Sequence, residues 1–262
     1  MALLILTSAS GSPGVTTLGV GLALTWPRSV LLADCDPGAH QSVLAGFLAG
    51  RSAAGKGLLR VAEAHRDRRP LREVVLDQCE PLADDLGHRR LFLPGFTKPG
   101  SASHFGGVWT DLAETFERLA DAGYDVIVDA GRLGAAGLPA PLVEHAAQTC
   151  LVLRSTLRAV MAARVHLATL RDHARLGETG GALGLIIVGE SDPYSRSEIA
   201  KALGVPALGV VANDQRVAAH LSDGKPRPRK FDRSALITSL SDLAVTLAAC
   251  LERSADLIRS RS

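Results

Sequence analysis

Seven short apolar runs recur along the chain, separated by longer stretches with helical periodicity. They are Leu3 to Thr7, Val30 to Ala33, Leu91 to Leu93, Asp125 to Val128, Thr149 to Leu153, Leu185 to Val188 and Ala207 to Val211. Runs that stay apolar at nearly every residue belong to strands buried on both faces, the signature of a parallel sheet covered by helices. Helices are expected at about 15–26, 57–67, 108–122, 158–175, 195–203 and 234–258. The alternation predicts an α/β fold: a single doubly wound, mostly parallel sheet of about seven strands with helices on both faces. With 262 residues, 47% of them hydrophobic, the chain can bury that core as one domain over 1–262, the last residues 254–262 fraying. No internal repeat or linker divides it.

Local punctuation agrees with these boundaries. Pro27 follows the first helix, and Ser195-Arg-Ser-Glu198 has capping-box spacing. Leu236, Leu240, Leu243, Leu247 and Leu251 form a stripe at three- and four-residue steps, suited to packing on the sheet. The stretch from Phe96 to Gly107 is rich in turn formers and follows a strand, so it is a loop at the carboxyl edge of the sheet, where open α/β sheets bind ligands.

A net charge of +2 demands neither a nucleic-acid nor a membrane partner. The four cysteines (Cys35, Cys79, Cys150 and Cys250) are scattered, the eight histidines lack metal-ligand spacing, and the start has no leader-like pattern. A reduced, cytoplasmic protein is expected. No apolar run approaches the roughly 20 residues that span a membrane. Of 29 basic residues only five are lysines (Lys56, Lys98, Lys201, Lys225 and Lys230), so the first 55 residues hold none.

That vacancy matters because Leu3 to Thr7 runs into Ser8-Ala-Ser-Gly-Ser-Pro-Gly-Val-Thr-Thr17 and then a helix, the strand, glycine loop and helix order of a phosphate-binding loop. The segment resembles the ParA/MinD superfamily of P-loop ATPases, whose signature after the first strand is K-G-G-x-G-K-[ST]-[ST]. Gly11, Gly14, Thr16 and Thr17 match. Ser10 replaces the signature lysine, Ser12 a glycine, and Val15 the lysine that reaches the β and γ phosphates. Phosphoryl transfer is catalysed largely by electrostatics, and valine has no charge to offer. The resemblance implies that Gly11, Ser12, Pro13, Gly14, Val15, Thr16 and Thr17 frame a nucleotide site whose backbone N–H groups hold an anion, with ATP or ADP bound weakly or not at all.

Val30-Leu-Leu-Ala-Asp-Cys-Asp-Pro37 is similar to the family's second strand ending in D-x-D-P, which makes Asp34 and Asp36 candidates for the metal and the attacking water. Alternation would put both on one face; cap and loop aspartates are the other reading. Tyr124-Asp-Val-Ile-Val-Asp129 resembles the Walker B strand and marks Asp129 as the magnesium-side carboxylate, with Asp36 and Asp129 as catalytic candidates and Thr16, Asp34, Asp36 and Asp129 as magnesium ligands. Ala130-Gly131-Arg132 stands where the family has a proline-containing switch, and Arg132 is a candidate for the missing positive charge, or else a surface arginine.

Cys150 to Arg158 matches the family's fifth strand without its proline, and the segment from Gly184 to Ser195 lacks an adenine-contacting Asn. Leu208 to Arg216 resembles the MinD-like stretch that closes over the base, which carries Asn213 and Asp214 as nucleotide contacts. The basic segments 60–72 and 225–233 are either solvated faces or phosphate contacts to DNA. The tail after Ser254 offers few apolar residues for membrane insertion. The implied function is a ParA/MinD-like pseudo-ATPase that positions or scaffolds an assembly, as the TadZ/CpaE branch does for Tad/Flp pilus and secretion machines. It would act as a homodimer beside a pilus or secretion ATPase. The alternative is an active partition or division-site-placement ATPase with a non-lysine phosphate contact.

Overall fold

The computed structural model describes residues 3–51, 55–83, 87–98, 100–134, 137–176, 181–189 and 193–259. Parts of the segments discussed above, namely Pro99, Glu190 to Asp192 and the final three residues, lie outside them. The strands are β1 (Leu3–Ser8), β2 (Val30–Asp34), β3 (Glu80–Ala83), β4 (Arg90–Leu93), β5 (Asp125–Arg132), β6 (Gln148–Arg154), β7 (Ala182–Val188) and β8 (Ala207–Val211). They form one sheet in the order β3-β4-β2-β5-β1-β6-β7-β8. All neighbours pair in parallel except β3, which runs antiparallel to β4.

The strand count corrects the expectation of about seven. β3 holds Pro81, which donates no hydrogen bond and reads as a strand breaker; a sheet edge tolerates it because one side of the strand needs no partner.

Helices α1 (Val15–Thr25), α8 (Gln215–Asp223) and α9 (Ala235–Arg259) cover one face, and α2 (Leu58–Arg66), α3 (Leu71–Asp77), α4 (Val108–Arg118), α5 (Ala140–His145), α6 (Leu157–Leu176) and α7 (Arg196–Leu203) cover the other. The period-2 alternation of strands divides the core: Leu4 and Leu6 of β1 join the α1/α9 side, Leu3 and Ile5 the opposite side. Ser195 and Glu198 make both reciprocal bonds of a capping box at the start of α7.

One sequence expectation about membranes needs revision. Over Ala235–Ser254, α9 reaches a mean hydropathy of 1.5, enough by length and composition to cross a membrane. Its leucine stripe, Leu236, Leu240, Leu243, Leu247 and Leu251, is instead buried against α1 and the sheet, as a core helix requires. The helix continues past residue 254 to Arg259.

Two features brace the two edges of the sheet. At the amino edge of the sheet, the buried carboxylate of Asp125 accepts from Trp26 Nε1 (2.8 Å) and from Arg28 Nε and Nη2 (2.8 and 2.6 Å), which ties α1's exit to the start of β5. At the carboxyl edge, the π-helical turn Val43–Phe47 lies against α8 so closely that a Cβ on Gly46 would stand 1.9 Å from the Ser222 carbonyl oxygen. Because that neighbour is backbone, it has no rotamer by which to yield. Gly46→Ala is therefore expected to cost about 1–3 kcal/mol, as overpacking does, and to lower the thermal midpoint accordingly; an unchanged midpoint in scanning calorimetry would refute the tight contact.

Candidate functional site

β1 ends in the middle of the sheet, beside β5 and β6, and releases the chain at the carboxyl edge. The exit is pinned by Thr7, whose Oγ1 donates to the Gly131 carbonyl (3.1 Å), and by Leu133 N donating to Ser8 O (2.8 Å). The loop then turns through left-handed backbone at Gly11 (φ 74°), Ser12 (φ 42°) and Gly14 (φ 96°). Glycine adopts such angles freely, whereas a serine there stores roughly 1–3 kcal/mol of strain. Ser12 thus holds a backbone conformation that glycine adopts without strain, at a position where the resembled motif has glycine. Helix α1 starts after Gly14 with no side-chain cap and no acidic residue in its first turn, so its leading N–H groups remain open to an anion.

Val15, at the position of the phosphate-binding lysine, is 7% exposed and packs into the α1/α9 core. Lys56, the first lysine in the chain, donates to the Cys79 carbonyl (2.9 Å) and stands 3.8 Å from Glu80, beside the β3 edge. It is committed away from the loop.

Thr16 stands close enough to Asp129 to favour its charged form, and Asp129 accepts from Gly131 N (2.9 Å). Asp129 is 2% exposed, and burial, more than any neighbouring charge, pushes its carboxyl up from 3.8 to about 6. Registry between β2 and β5 places Asp34 directly beside it. Burial, and then the charge of Asp129, holds Asp34 well above the usual carboxylate range. Asp36 lies against Gly131, where a Cβ would stand 2.3 Å from its carboxyl carbon; its Oδ1 accepts from Gly38 N (2.8 Å), and His40 Nε2 is 4.0 Å from Oδ2. Three acids and one hydroxyl therefore meet at the carboxyl ends of β2 and β5, next to the start of α1.

The donor chemistry there suits a hard cation such as magnesium, which takes one or two carboxylates and completes its shell with phosphate oxygens and water. Among the described residues no three of His, Cys, Asp and Glu form a ready-made metal cage, so phosphate and water oxygens would have to make up the rest. Cys35, between the two aspartates, is buried with its thiol pushed up by burial and by Asp34, which makes it inert.

On the other side of the loop lies a cleft of about 230 Å³ lined by Ser12, Pro13, Gly14, Thr17, Asn213 and Asp214 among others. Asn213 is exposed at its rim, and the Asp214 carboxylate is occupied in capping α8 through Arg216 N and Val217 N (both 3.1 Å). Arg132 faces a different cleft, with Cys35, Pro37 and Trp109. Two arginines that sequence reasoning left without a role stand at the loop instead: Arg154 lines the cleft, and the Arg158 guanidinium lies beside Gly11. Their only signal was position at the end of β6 and just beyond it, which becomes informative once β6 is known to pair with β1. Of the basic segment 225–233, Arg227 pairs with Asp232 (2.6 Å) and lies 4.8 Å over the buried Phe231 ring, a structural use of that charge.

No protein-family model matches the sequence, and no curated protein matches it. Solved structures do match in shape. The MinD cell division protein of Aquifex aeolicus superposes with a TM-score of 0.71 at 17% identity over 95% of this chain and 97% of that one. A ParA family ATPase from Chlorobium tepidum gives 0.68 at 17% identity, covering 93% and 98%. The septum site-determining protein MinD of Pyrococcus horikoshii, complexed with Mg-ADP, gives 0.61 at 19% identity over 93% and 95%. The eight-stranded sheet and its helical layers are thus those of the MinD/ParA P-loop ATPase fold.

Proposed function

We propose that this chain is a MinD/ParA-like protein that binds a nucleoside phosphate with magnesium at residues 10–17, hydrolyses ATP weakly or not at all, and positions or scaffolds an assembly. The observation that carries this reading is the split between geometry and charge in the loop: Gly11, Ser12 and Gly14 keep left-handed backbone and Thr16 meets Asp129, while an apolar side chain fills the lysine position. The open first turn of α1 would receive phosphate oxygens, Thr16 and Asp129 would hold the metal, and Asn213 would border the base. Magnesium, when bound, supplies the charge that neutralises the phosphates. Asp36, the partly exposed member of the acidic group, would accept a proton from water.

The Mg-ADP in the Pyrococcus horikoshii structure and the MinC:MinD complex from Aquifex aeolicus support nucleotide and protein partners for this chain. The assembly we favour is a Tad/Flp pilus or secretion machine in the cytoplasm, with the chain acting as a homodimer; this rests on the likeness of the GSPGVTT loop to the TadZ/CpaE branch. The second reading, an active partition or division-site ATPase, gains support from the retained acids and from Arg158 at the loop.

Calorimetric titration with ATP and ADP in magnesium is expected to show binding, with a turnover rate equal to that of Asp129→Ala. Turnover that falls in Asp129→Ala would establish the active ATPase, and no heat up to millimolar ligand would overturn nucleotide binding.

A further inference from the structure

Arg158 sits in the first turn of α6, and its Nη2 lies 3.9 Å from the position a Cβ would take on Gly11. The topology delivers it there. β6 pairs in parallel with β1 from Leu4↔Gln148 to Thr7↔Leu151, so both chains leave the sheet side by side, and α6 begins three residues beyond the end of β6.

Among the described residues nothing uses this guanidinium. It is exposed, and among the described residues its side chain has neither a hydrogen bond nor an ion pair. The charges that act on the buried acids are other ones: Asp129 feels Asp36 and His40, and Asp34 feels Asp129 and Asp36. Arg158 therefore does not compensate the acidic group, although it stands over the same loop. The loop carries a second such group, the enclosed Ser10 Oγ, which has no hydrogen-bond partner among the described residues. A free cation above left-handed backbone, with the open first turn of α1 below it, describes a place for an anion with two or more phosphates.

We propose that Arg158 binds the phosphate chain of a nucleoside di- or triphosphate on the loop, supplying from the same chain the positive charge that lysines carry in the resembled motif. This rests on the reading that the loop binds a nucleoside phosphate. Arginine suits the task because its planar fork donates two parallel hydrogen bonds to phosphate oxygens and stays charged at any physiological pH. Since it approaches from α6 and not along α1, it meets the phosphates from the side of the loop opposite the Val15 core.

The test is titration of the full chain with ATP, ADP, adenosine and inorganic pyrophosphate, each with magnesium, at low and moderate salt. Arg158→Ala is expected to weaken ATP and ADP binding roughly tenfold or more and to flatten its salt dependence, with Arg158→Lys recovering part of the loss. Its thermal midpoint should match the parent's, since the side chain is exposed; if that variant is poorly folded, Arg158→Gln carries the comparison. Equal ATP affinity and equal salt dependence in parent and variant would overturn the inference while nucleotide binding stands. Failure of the parent to bind any nucleotide would overturn the underlying reading and the inference together. Pyrophosphate bound as tightly as ATP would remove the nucleoside from the assignment.

Discussion

Asp129→Asn is expected to unfold at a higher temperature than the parent at about pH 7.5, with the difference disappearing below about pH 4. The carboxyl is raised from 3.8 to about 6, mainly by burial, with Thr16 and the hydrogen bond from Gly131 offsetting part of the effect. Between those two values the folded protein holds a proton that the unfolded chain has released. Stability therefore falls as pH rises through this window, and above it the full cost of an ionised buried carboxylate is present. Two units at 1.36 kcal/mol each make that cost roughly 3 kcal/mol, which for a domain of this size is on the order of 5–10 °C. Asparagine keeps an oxygen for Gly131 N and removes the charge. The same variant should lose magnesium-dependent nucleotide binding. A midpoint at neutral pH equal to or below the parent's would show that Asp129 is already compensated, and would count against its role as a waiting metal ligand.

The second large effect is expected from Val15→Lys. A lysine stem can lie along the apolar surface that Val15 now covers and carry its ammonium out toward the loop. A charged hydrogen bond to phosphate is worth about 1.5–3 kcal/mol, so ATP affinity should rise roughly ten- to hundredfold. Because Val15 is 7% exposed, its lost burial should cost on the order of 1–2 kcal/mol, seen as a lower midpoint without ligand. Tighter binding together with lower intrinsic stability is the signature to look for. Unchanged affinity in a folded variant would mean that Ser12 and Pro13 shape the loop against a phosphate.

The parts of this fold that were legible in the sequence are those where one residue type dominates over a full element. β1 and β7 are almost wholly apolar, β5 has an apolar centre in Val126 to Val128, and the leucine stripe of α9 keeps helical spacing over four turns. β3 is hidden by Pro81, and α3 and α5 are too short, at seven and six residues, to establish a period. α8 begins where sequence similarity points to a base-closing loop, and Asp214, read there as a ligand, also caps the helix through Oδ1. The acids of the site could be named because Val30 to Pro37 and Tyr124 to Asp129 resemble the D-x-D-P and Walker B segments of the ParA/MinD superfamily. Their convergence depends on β2 pairing with β5, and the place of Arg158 on β6 pairing with β1, and strand order of that kind leaves no local trace.

Strand β5 carries an aspartate near each end of its buried stretch. Asp125 is held by Trp26 and Arg28, while Asp129 costs stability. Four residues of strand separate them by about 13 Å, beyond the range over which substitutions usually interact energetically. Changes at the two ends should therefore sum. Removing the Asp125 contacts loosens the molecule by the same amount whether or not Asp129 is neutral, so foldedness and ligand chemistry can be tuned as independent variables on a single strand.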